Sequence, residues 1–184
     1  MVDIEKLFAR ASEAFQAGKY DYANTMFVDI LKLDPSHVKS HQMLRVSCIR
    51  DCESKGYQGK LGATLQQAKI PAQCGVTKDA DSRIKLCQDF LLKNPHNETI
   101  RLAMARAYRD KGAMEGSIAE FEIVFSANGS SVAAAKALGE LYADKKDFKK
   151  AQDYFQIVMK IAPEDREVGG RLKDILARQT IQET

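Results

Sequence analysis

The chain has 184 residues, of which 45% are hydrophobic and 29% are charged, with a formal net charge of +3. This is the composition of an ordinary soluble globular protein, and the length suits one domain with a good core. Basic residues are scattered, and Asp147 interrupts the densest patch at residues 145–150, so the contiguous basic stripe typical of nucleic-acid binding is missing. No apolar run approaches the roughly 18 residues of a membrane span, and the acidic start at residues 1–5 differs from a secretory signal peptide. We therefore expect a cytoplasmic protein that binds no nucleic acid and is not associated with membranes.

Two amphipathic helices are predicted between residues 4 and 36. Ala11 and Ala14 share the inner face of the first helix, and Gly18 permits a turn after it. The second helix has an apolar face made of Tyr20, Ala23, Phe27, Ile30 and Leu31. Small residues allow two antiparallel helices to approach closely, and the aromatic rings fill the space beside them. Pro35 ends the pair because its ring cannot continue a helix.

A second helix pair, split by an insertion, is predicted at residues 37–96. Its first helix places Leu44 and Cys48 on the inner face. Four glycines and a proline punctuate residues 53–78, which is too many for one uninterrupted helix. Helical period resumes after this insertion and ends at Pro95, which matches the end of a helix pair. An insertion of this length is unusual in a compact domain.

Two further helix pairs and a final helix complete the prediction. Asn97 caps the third pair, at residues 97–130, because its side chain can accept hydrogen bonds from the free amides of the first turn. The fourth pair occupies residues 131–163. A single amphipathic helix at residues 165–178 has one polar face, which a stacked array needs to cover its last core surface. Residues 179–184 are predicted to form a flexible tail.

One pattern recurs at a spacing of about 34 residues. Its clearest copy is Leu138-Gly139, Tyr142, Phe148, Ala151, Phe155 and Pro163. An earlier copy is Met104-Ala105, Tyr108, Gly112, Ser117 and Phe121, and a third extends from Leu7 to Pro35. This pattern resembles the tetratricopeptide repeat (TPR) family. The resemblance implies an all-α fold, a right-handed TPR-type α-solenoid of antiparallel helix pairs with a C-terminal capping helix, in a single domain at residues 1–178.

The chain departs from the family pattern at several positions. It has no tryptophan, and Lys146 stands where a turn glycine is common. Ser117 and Arg83 replace the usual alanine of the second helix of a repeat, helix B. Arg83 brings a long charged side chain to a position where helices approach closely, so the packing of the split repeat is the open question of the fold.

In TPR proteins the first helix of each repeat, helix A, lines a concave groove that typically binds a peptide or a partner helix. The resemblance therefore implies a non-enzymatic protein–protein interaction module. The groove positions are Phe8, Ser12, Phe15, Gln42, Val46, Ile49, Arg50, Leu102, Arg106, Arg109, Lys136 and Glu140. Arg106 and Arg109 are three residues apart, share a helix face and can clamp a carboxylate. We expect a protein or peptide partner with one or two apolar anchors and an acidic end.

Two alternatives compete with this groove. In the first, Phe8 and Phe15 pack against the next repeat, and the arginines are solvated or pair with Asp110 and Glu140. In the second, the chain is a self-associating assembly scaffold that uses the open ends of the solenoid or the insertion at residues 53–78. Its apolar anchors would be Leu61, Leu65 and Ile70.

Metal and catalytic sites are not predicted. His37, His41, Cys48 and Cys52 lie on one side of a single helix. A rise of ~1.5 Å per residue separates the outer two by over ~20 Å, so they cannot share one ion. The three histidines have no nucleophile or orienting carboxylate at a spacing that suggests a triad, and residues 56–60 lack the spacing of a phosphate loop. We expect no enzymatic activity, no cofactor, and free thiols in a reducing compartment rather than a disulfide framework.

Overall fold

The computed structural model describes residues 3–56, 69–70 and 72–182, and within these ranges it contains helices and no strand. The helices are α1 Ile4–Gln16, α2 Tyr20–Leu33, α3 Val38–Ser54, α4 Ala80–Leu91, α5 Glu98–Asp110, α6 Met114–Ala127, α7 Val132–Asp144, α8 Phe148–Ile161 and α9 Arg166–Gln182. Residues 69–70 and 72–76 are helical as well. The predicted all-α class is confirmed.

The helix bounds differ from the predicted ones at two places. Helix α3 continues to Ser54, inside the predicted insertion, while Leu61 and Leu65 lie outside the described residues. Helix α9 continues to Gln182, so the predicted flexible tail at residues 179–184 begins inside a helix. In both cases the difference is a few residues at a helix end, where the bounds of a helix are least well determined by sequence.

The chain divides into two compact units, Met1–Glu120 and Phe121–Thr184, and the division falls within α6. The predicted single domain at residues 1–178 stays a prediction. Each unit is described below by its own contacts.

Most helices start at a side-chain cap. The caps that accept a hydrogen bond from the backbone amide three residues later are Asp3, His37, Asp79, Asn97, Asp147 and Asp165. The predicted role of Asn97 is thereby confirmed, since its Oδ1 accepts from the Ile100 amide at 3.0 Å. The turns after α1 and α5 contain Gly18 and Gly112 with φ of 71° and 81°, and the turn after α7 instead places Lys146 at 61°. That left-handed conformation is uncommon for a residue with a side chain.

Small residues bring α1 and α2 together in the first unit. Ala11 and Ala23 are completely buried, as the sequence predicts for a close approach of two helices. The ring of Phe27 is also completely buried and lies with its centroid 5.8 Å from that of Phe8. This cluster extends to Leu44 and Cys48, so α3 packs on the first pair.

In the second repeat, a small side chain stands at a helix B position where the other repeats have a large one. The eighth residue of α2, α6 and α8 is a buried phenylalanine, namely Phe27, Phe121 and Phe155. In α4 the eighth residue is Cys87, which is also completely buried. Ile70 belongs to the same apolar cluster, and Cys74 packs against it. Ile70 and Cys74 of the predicted insertion therefore occupy the core beside Cys87, which is the smallest of the four residues at this helix position.

Two arginines of the second repeat stand at small-residue positions. The eighth residue of the other A helices is Ala11, Ala105 or Gly139, but in α3 it is Arg45. Arg83 of α4 replaces the helix B alanine. Its side chain is mostly buried, and its Nη1 donates to Asp110 Oδ2 at 2.7 Å. The departure at Arg83 is thus accommodated by an ion pair between α4 and α5.

A buried carboxylate links α3, α5 and α6. Glu120 is 2% exposed, and its Oε2 accepts from Arg101 Nη1 at 2.7 Å while its Oε1 lies 2.7 Å from His41 Nδ1. The same two side chains reach the turns between repeats, because Arg101 Nη2 donates to the Pro95 carbonyl at 3.2 Å and His41 Nε2 lies 3.0 Å from the Pro35 carbonyl.

This arrangement favours the ionised form of Glu120. Burial by itself opposes ionisation, but the charge of Arg101 and the hydrogen bond from His41 outweigh it, so the pKa of the Glu120 carboxyl is lowered. The His41 ring also contacts Tyr108 edge-on at 5.1 Å between centroids. An ionised, fully hydrogen-bonded carboxylate therefore lies in the centre of the first unit.

In the second unit, α7 and α8 approach at a glycine. A Cβ added to Gly139 would lie 2.5 Å from Cε1 of the Phe155 ring, whose side chain is 1% exposed. Helix α9 covers this pair with Val168 and Ile175, both buried. The helix predicted to cap the array thus has an apolar face that packs on the preceding helix pair of its own unit.

We predict that Gly139→Ala destabilises the second unit by about 1–3 kcal/mol, since the buried Phe155 ring must move to admit the methyl group. Gly170→Ala is the matched control, because Gly170 is also helical and a Cβ there meets nothing within 4 Å. Helix propensity then makes this control neutral or stabilising by up to about 1 kcal/mol. Urea unfolding followed by circular dichroism measures both, and equal stability changes would contradict the close approach.

We predict that Glu120→Gln lowers the free energy of unfolding by about 3 kcal/mol or more, because Arg101 then stays buried without its counter-charge. Glu164→Gln, at an exposed carboxylate, is the charge-matched control and should change little. The measurement is chemical denaturation of the three proteins at neutral pH.

The same carboxylate makes stability depend on pH. Its pKa is lower in the folded chain, so its contribution is present above the unfolded value of about 4.3 and is lost as pH falls through the folded value. The native protein should therefore lose stability more steeply than Glu120→Gln on acidification below about pH 4.3. Parallel slopes for both proteins would show that Glu120 is not held in its charged form.

Candidate partner-binding face

The predicted groove residues of α1 take part in packing within the chain. Phe8 is half-buried, and its ring lies 5.1 Å from the His37 ring. Phe15 is half-buried and lies 5.6 Å from the Tyr20 ring, while Ser12 Oγ donates to the Phe8 carbonyl at 2.8 Å. These contacts favour the alternative in which the two rings serve the core of the first repeats.

The predicted residues of α3 form a largely exposed stripe. Gln42, Val46 and Arg50 are exposed, and Ile49 is half-buried beside them. Val46 is an exposed apolar residue on this helix, with 40% of its surface accessible. The spacing of four residues places the three exposed side chains on one face. Arg50 pairs with Glu53 at 3.1 Å, an exposed contact within the same helix.

The predicted residues of α5 add an apolar position and two exposed cations. Leu102 is half-buried, and Arg106 and Arg109 are exposed. Among the described residues Arg106 makes no ion pair, and the carboxylate of Asp110 instead binds Arg83 of α4. The pairing of Arg106 with Asp110 that competed with the groove is therefore not formed.

Lys136 and Glu140 lie on α7 in the second unit. Lys136 Nζ donates to Glu167 Oε2 at 2.7 Å and to Asp165 Oδ2 at 3.3 Å, which links α7 to α9. The hydrogen bond to Glu167 is the main cause that raises the pKa of Lys136. Glu140 is half-buried. The lysine charge is thus already matched by two carboxylates of its own unit.

A small cavity lies between helix α3, which carries the exposed stripe, and helix α5. The volume of this cavity that is open to the centre of a water molecule is about 20 Å³. It is lined by His41, Leu44, Arg45, Cys48, Gln88, Leu91, Leu92, Arg101, Met104 and Glu120. Two buried donors of lining residues, Arg45 Nε and Gln88 Nε2, have no hydrogen-bond partner in the part of the chain that the structure describes. Room for about one water and two unused donors indicate a hydrated position.

The cavity follows from the arginine at a small-residue position. Burial, together with the nearby charge of Arg101, lowers the pKa of Arg45. The residues Arg45, Arg101 and Glu120 were not singled out by sequence reasoning, although the mismatch of Arg45 with the small residues Ala105 and Gly139 is a readable signal. Glu120 gave no signal, because a glutamate in a helix is ordinarily exposed.

The metal-competent residues of α3 are engaged in other contacts. His41 belongs to the Glu120 network, His37 Nδ1 lies 2.8 Å from Ser40 Oγ, and burial raises the pKa of the Cys48 thiol to about 12. Within residues 3–56, 69–70 and 72–182, no group of three or more histidine, cysteine or acidic side chains is placed to hold a metal ion. None of the described helices is both long and apolar enough to cross a membrane.

Comparison with known proteins gives a structural likeness only. No protein-family model matches the chain, and no curated protein matches it. The structure is similar to TTC0263, a thermophilic TPR protein of Thermus thermophilus, with 17% identity and a TM-score of 0.51 over 95% of this chain and 100% of that chain. It is also similar to YrrB, a TPR protein with an unusual peptide-binding site, with 14% identity and a TM-score of 0.54 over 93% of this chain and 92% of that chain.

A third similar structure is PilW, a type IV pilus biogenesis factor, with 15% identity and a TM-score of 0.53 over 95% of this chain and 86% of that chain. Two of these three proteins are described as TPR proteins, and the likeness covers nearly the whole chain. The helix pairs, the small residues at their crossing points and the buried phenylalanines described above are the features that the predicted repeat requires. The chain has the fold of the tetratricopeptide repeat family.

Proposed function

We propose that the chain is a non-enzymatic protein-binding module that takes a partner segment on the exposed surface of α3 and α5. This surface, called the α3–α5 face below, consists of Gln42, Val46, Ile49, Arg50, Leu102, Arg106 and Arg109. The TPR fold supports a binding role, since stacked helix pairs present rigid surfaces to partners. YrrB, which shares the fold, has a peptide-binding site.

The observation that carries the proposal is the state of Arg106. Its guanidinium is exposed and makes no ion pair among the described residues, although Asp110 lies on the same helix. An exposed arginine without a local partner can bind a carboxylate of another chain in bidentate fashion at little cost, because no existing pair must be broken. The partner of this proposal therefore presents an acidic group to α5.

Apolar residues define the rest of the α3–α5 face. Val46 is 40% exposed, and Ile49 and Leu102 are half-buried, so each offers part of an apolar side chain for contact. Covering such residues is favourable by about 25 cal/mol per Å² of apolar surface removed from water. The partner is thus a segment with one or two apolar anchors and an acidic end.

The Glu120 network supports the rigidity of this surface. His41 of α3 and Arg101 of α5 bind the same carboxylate, so the two helices that carry the face are tied to one buried point. A preformed surface loses little conformational entropy on binding. Phe8, Ser12 and Phe15 are left out of the proposed face because they already make contacts within the first unit, and Lys136 and Glu140 are left out because they lie in the second unit.

Self-association is the rival outcome. Its predicted anchor Ile70 is 6% exposed and lies in the core of its own chain, which removes it from any docking surface. Leu61 and Leu65 lie outside the described residues. The α3–α5 face is the better-supported surface because its residues are exposed in the described part of the chain.

The test is capture of partners from source lysate by the native protein and by Arg106→Glu/Arg109→Glu, identified by mass spectrometry. We expect at least one protein to be captured by the native chain and lost by the variant, because reversed charges repel an acidic segment. The matched control is Arg171→Glu/Arg178→Glu, which makes the same charge change at exposed residues of α9. Equal capture by all three proteins would rule out the α3–α5 face, and recovery of this chain alone would favour self-association.

The apolar half of the face has its own prediction. With the captured partner in hand, Val46→Asp should weaken binding by about tenfold or more, since a charge replaces an apolar contact at the interface. Val76→Asp makes the same change at an 81% exposed valine outside the α3–α5 face and should leave the affinity unaltered. Calorimetric titration measures both, and equal losses would indicate a general effect of added negative charge.

A further inference from the structure

Two cysteine sulfurs lie in contact in the second repeat. Sγ of Cys74, in the helical residues 72–76, is 3.7 Å from Sγ of Cys87 on α4. The two residues are 13 positions apart, and both belong to the core that Ile70 joins. We propose that Cys74 and Cys87 are an oxidative modification site, at which a peroxide converts the thiol pair into an intramolecular disulfide.

The geometry is close to that of the product. A disulfide requires a sulfur–sulfur distance of about 2.05 Å, so the two atoms must approach by about 1.7 Å. Cys74 is half-buried, and rotation of its side chain between rotamers provides much of such a movement. Cys87 is completely buried and stays in place within the apolar cluster. The pair therefore consists of one accessible and one fixed sulfur.

The reaction has two balanced steps. In the first, Cys74 as thiolate attacks one oxygen of hydrogen peroxide, the O–O bond breaks, and hydroxide leaves and is protonated to water, which gives a sulfenic acid on Cys74. In the second, the Cys87 sulfur attacks the Cys74 sulfur, the S–O bond breaks, and the second oxygen leaves as water with the Cys87 proton. Two thiols and one peroxide thus give one disulfide and two waters.

The surroundings of Cys87 explain the order of these steps. Burial is the main cause that raises the pKa of the Cys87 thiol, and the neighbouring Cys74 sulfur raises it further. The buried thiol is therefore a poor first target for an oxidant. Oxidation to the sulfenic acid removes the negative charge of the Cys74 thiolate, which disfavours ionisation of the Cys87 thiol. The contact at 3.7 Å then gives the second step a high effective concentration.

The other two cysteines have different neighbours. Sγ of Cys48 lies 3.7 Å from Asn24 Oδ1, and Sγ of Cys52 lies 3.6 Å from the Lys93 carbonyl oxygen. They sit four residues apart on α3, and the sulfur contacts described for each are with oxygen atoms. This pair therefore provides a control with a shorter sequence spacing on a single helix, and the contacts of its sulfurs within the described residues are with oxygen atoms.

The experiment compares two double variants exposed to the same hydrogen peroxide. Cys48→Ala/Cys52→Ala keeps Cys74 and Cys87, and Cys74→Ala/Cys87→Ala keeps the control pair. In the first variant we expect both thiols to disappear together, with loss of the mass of two hydrogen atoms, a monomer on a non-reducing gel and recovery with dithiothreitol. Its disulfide should form at least about tenfold faster than any disulfide of the control, because the two sulfurs are already in contact when the sulfenic acid forms.

Three results would overturn the proposal. These are equal rates of disulfide formation in the two variants, oxygen added to Cys74 without a disulfide, and a disulfide that joins two chains. If either variant fails to fold, the oxidised native protein is digested instead and its peptides are mapped. A peptide linked through Cys74 and Cys87 supports the proposal, and its absence after complete loss of thiols contradicts it.

Discussion

The burial of one carboxylate constrains the unit Met1–Glu120. A charge removed from water is costly unless it is paired and fully hydrogen-bonded, and Glu120 meets this condition with Arg101 and His41. Each of these two side chains also reaches a turn carbonyl, so a single polar centre holds three helices and two connections between repeats. A shift of α6 along its axis by one residue would break both contacts of Glu120 together. The apolar core of such a repeat tolerates sliding more readily, because contacts between apolar side chains have no preferred direction.

The second repeat shows how a repeat pattern can be kept with its side-chain sizes reversed. Arg45 and Arg83 occupy positions that hold small residues elsewhere, and Cys87 occupies the position of a phenylalanine. Arg83 forms an ion pair and Arg45 lines a small cavity, while Ile70 and Cys74 enter the core near Cys87. The space between two helices must be filled to native density, but the side chains that fill it need not come from those helices.

Much of the fold was readable from the sequence, because small residues, rings and prolines at a fixed spacing report directly on how helices pack. The N-cap at Asn97 and the buried Ala11 are examples, since each is determined within a few residues of chain. The exposed face was only partly readable: spacing placed Arg106 on the surface, but whether Phe8 binds a partner or the core depends on a neighbouring helix. The Glu120 network joins residues up to 79 positions apart, and no local pattern contains such a contact.

The packing of the insertion into the core has a consequence for how this chain tolerates change. Ile70 and Cys74 fill space near Cys87, so the insertion and the residue at position 87 are energetically interdependent. Deleting the insertion would leave a void beside a small side chain, and placing a phenylalanine at position 87 would crowd the side chains already there. Each change alone is costly, and only the two made together would keep the core filled.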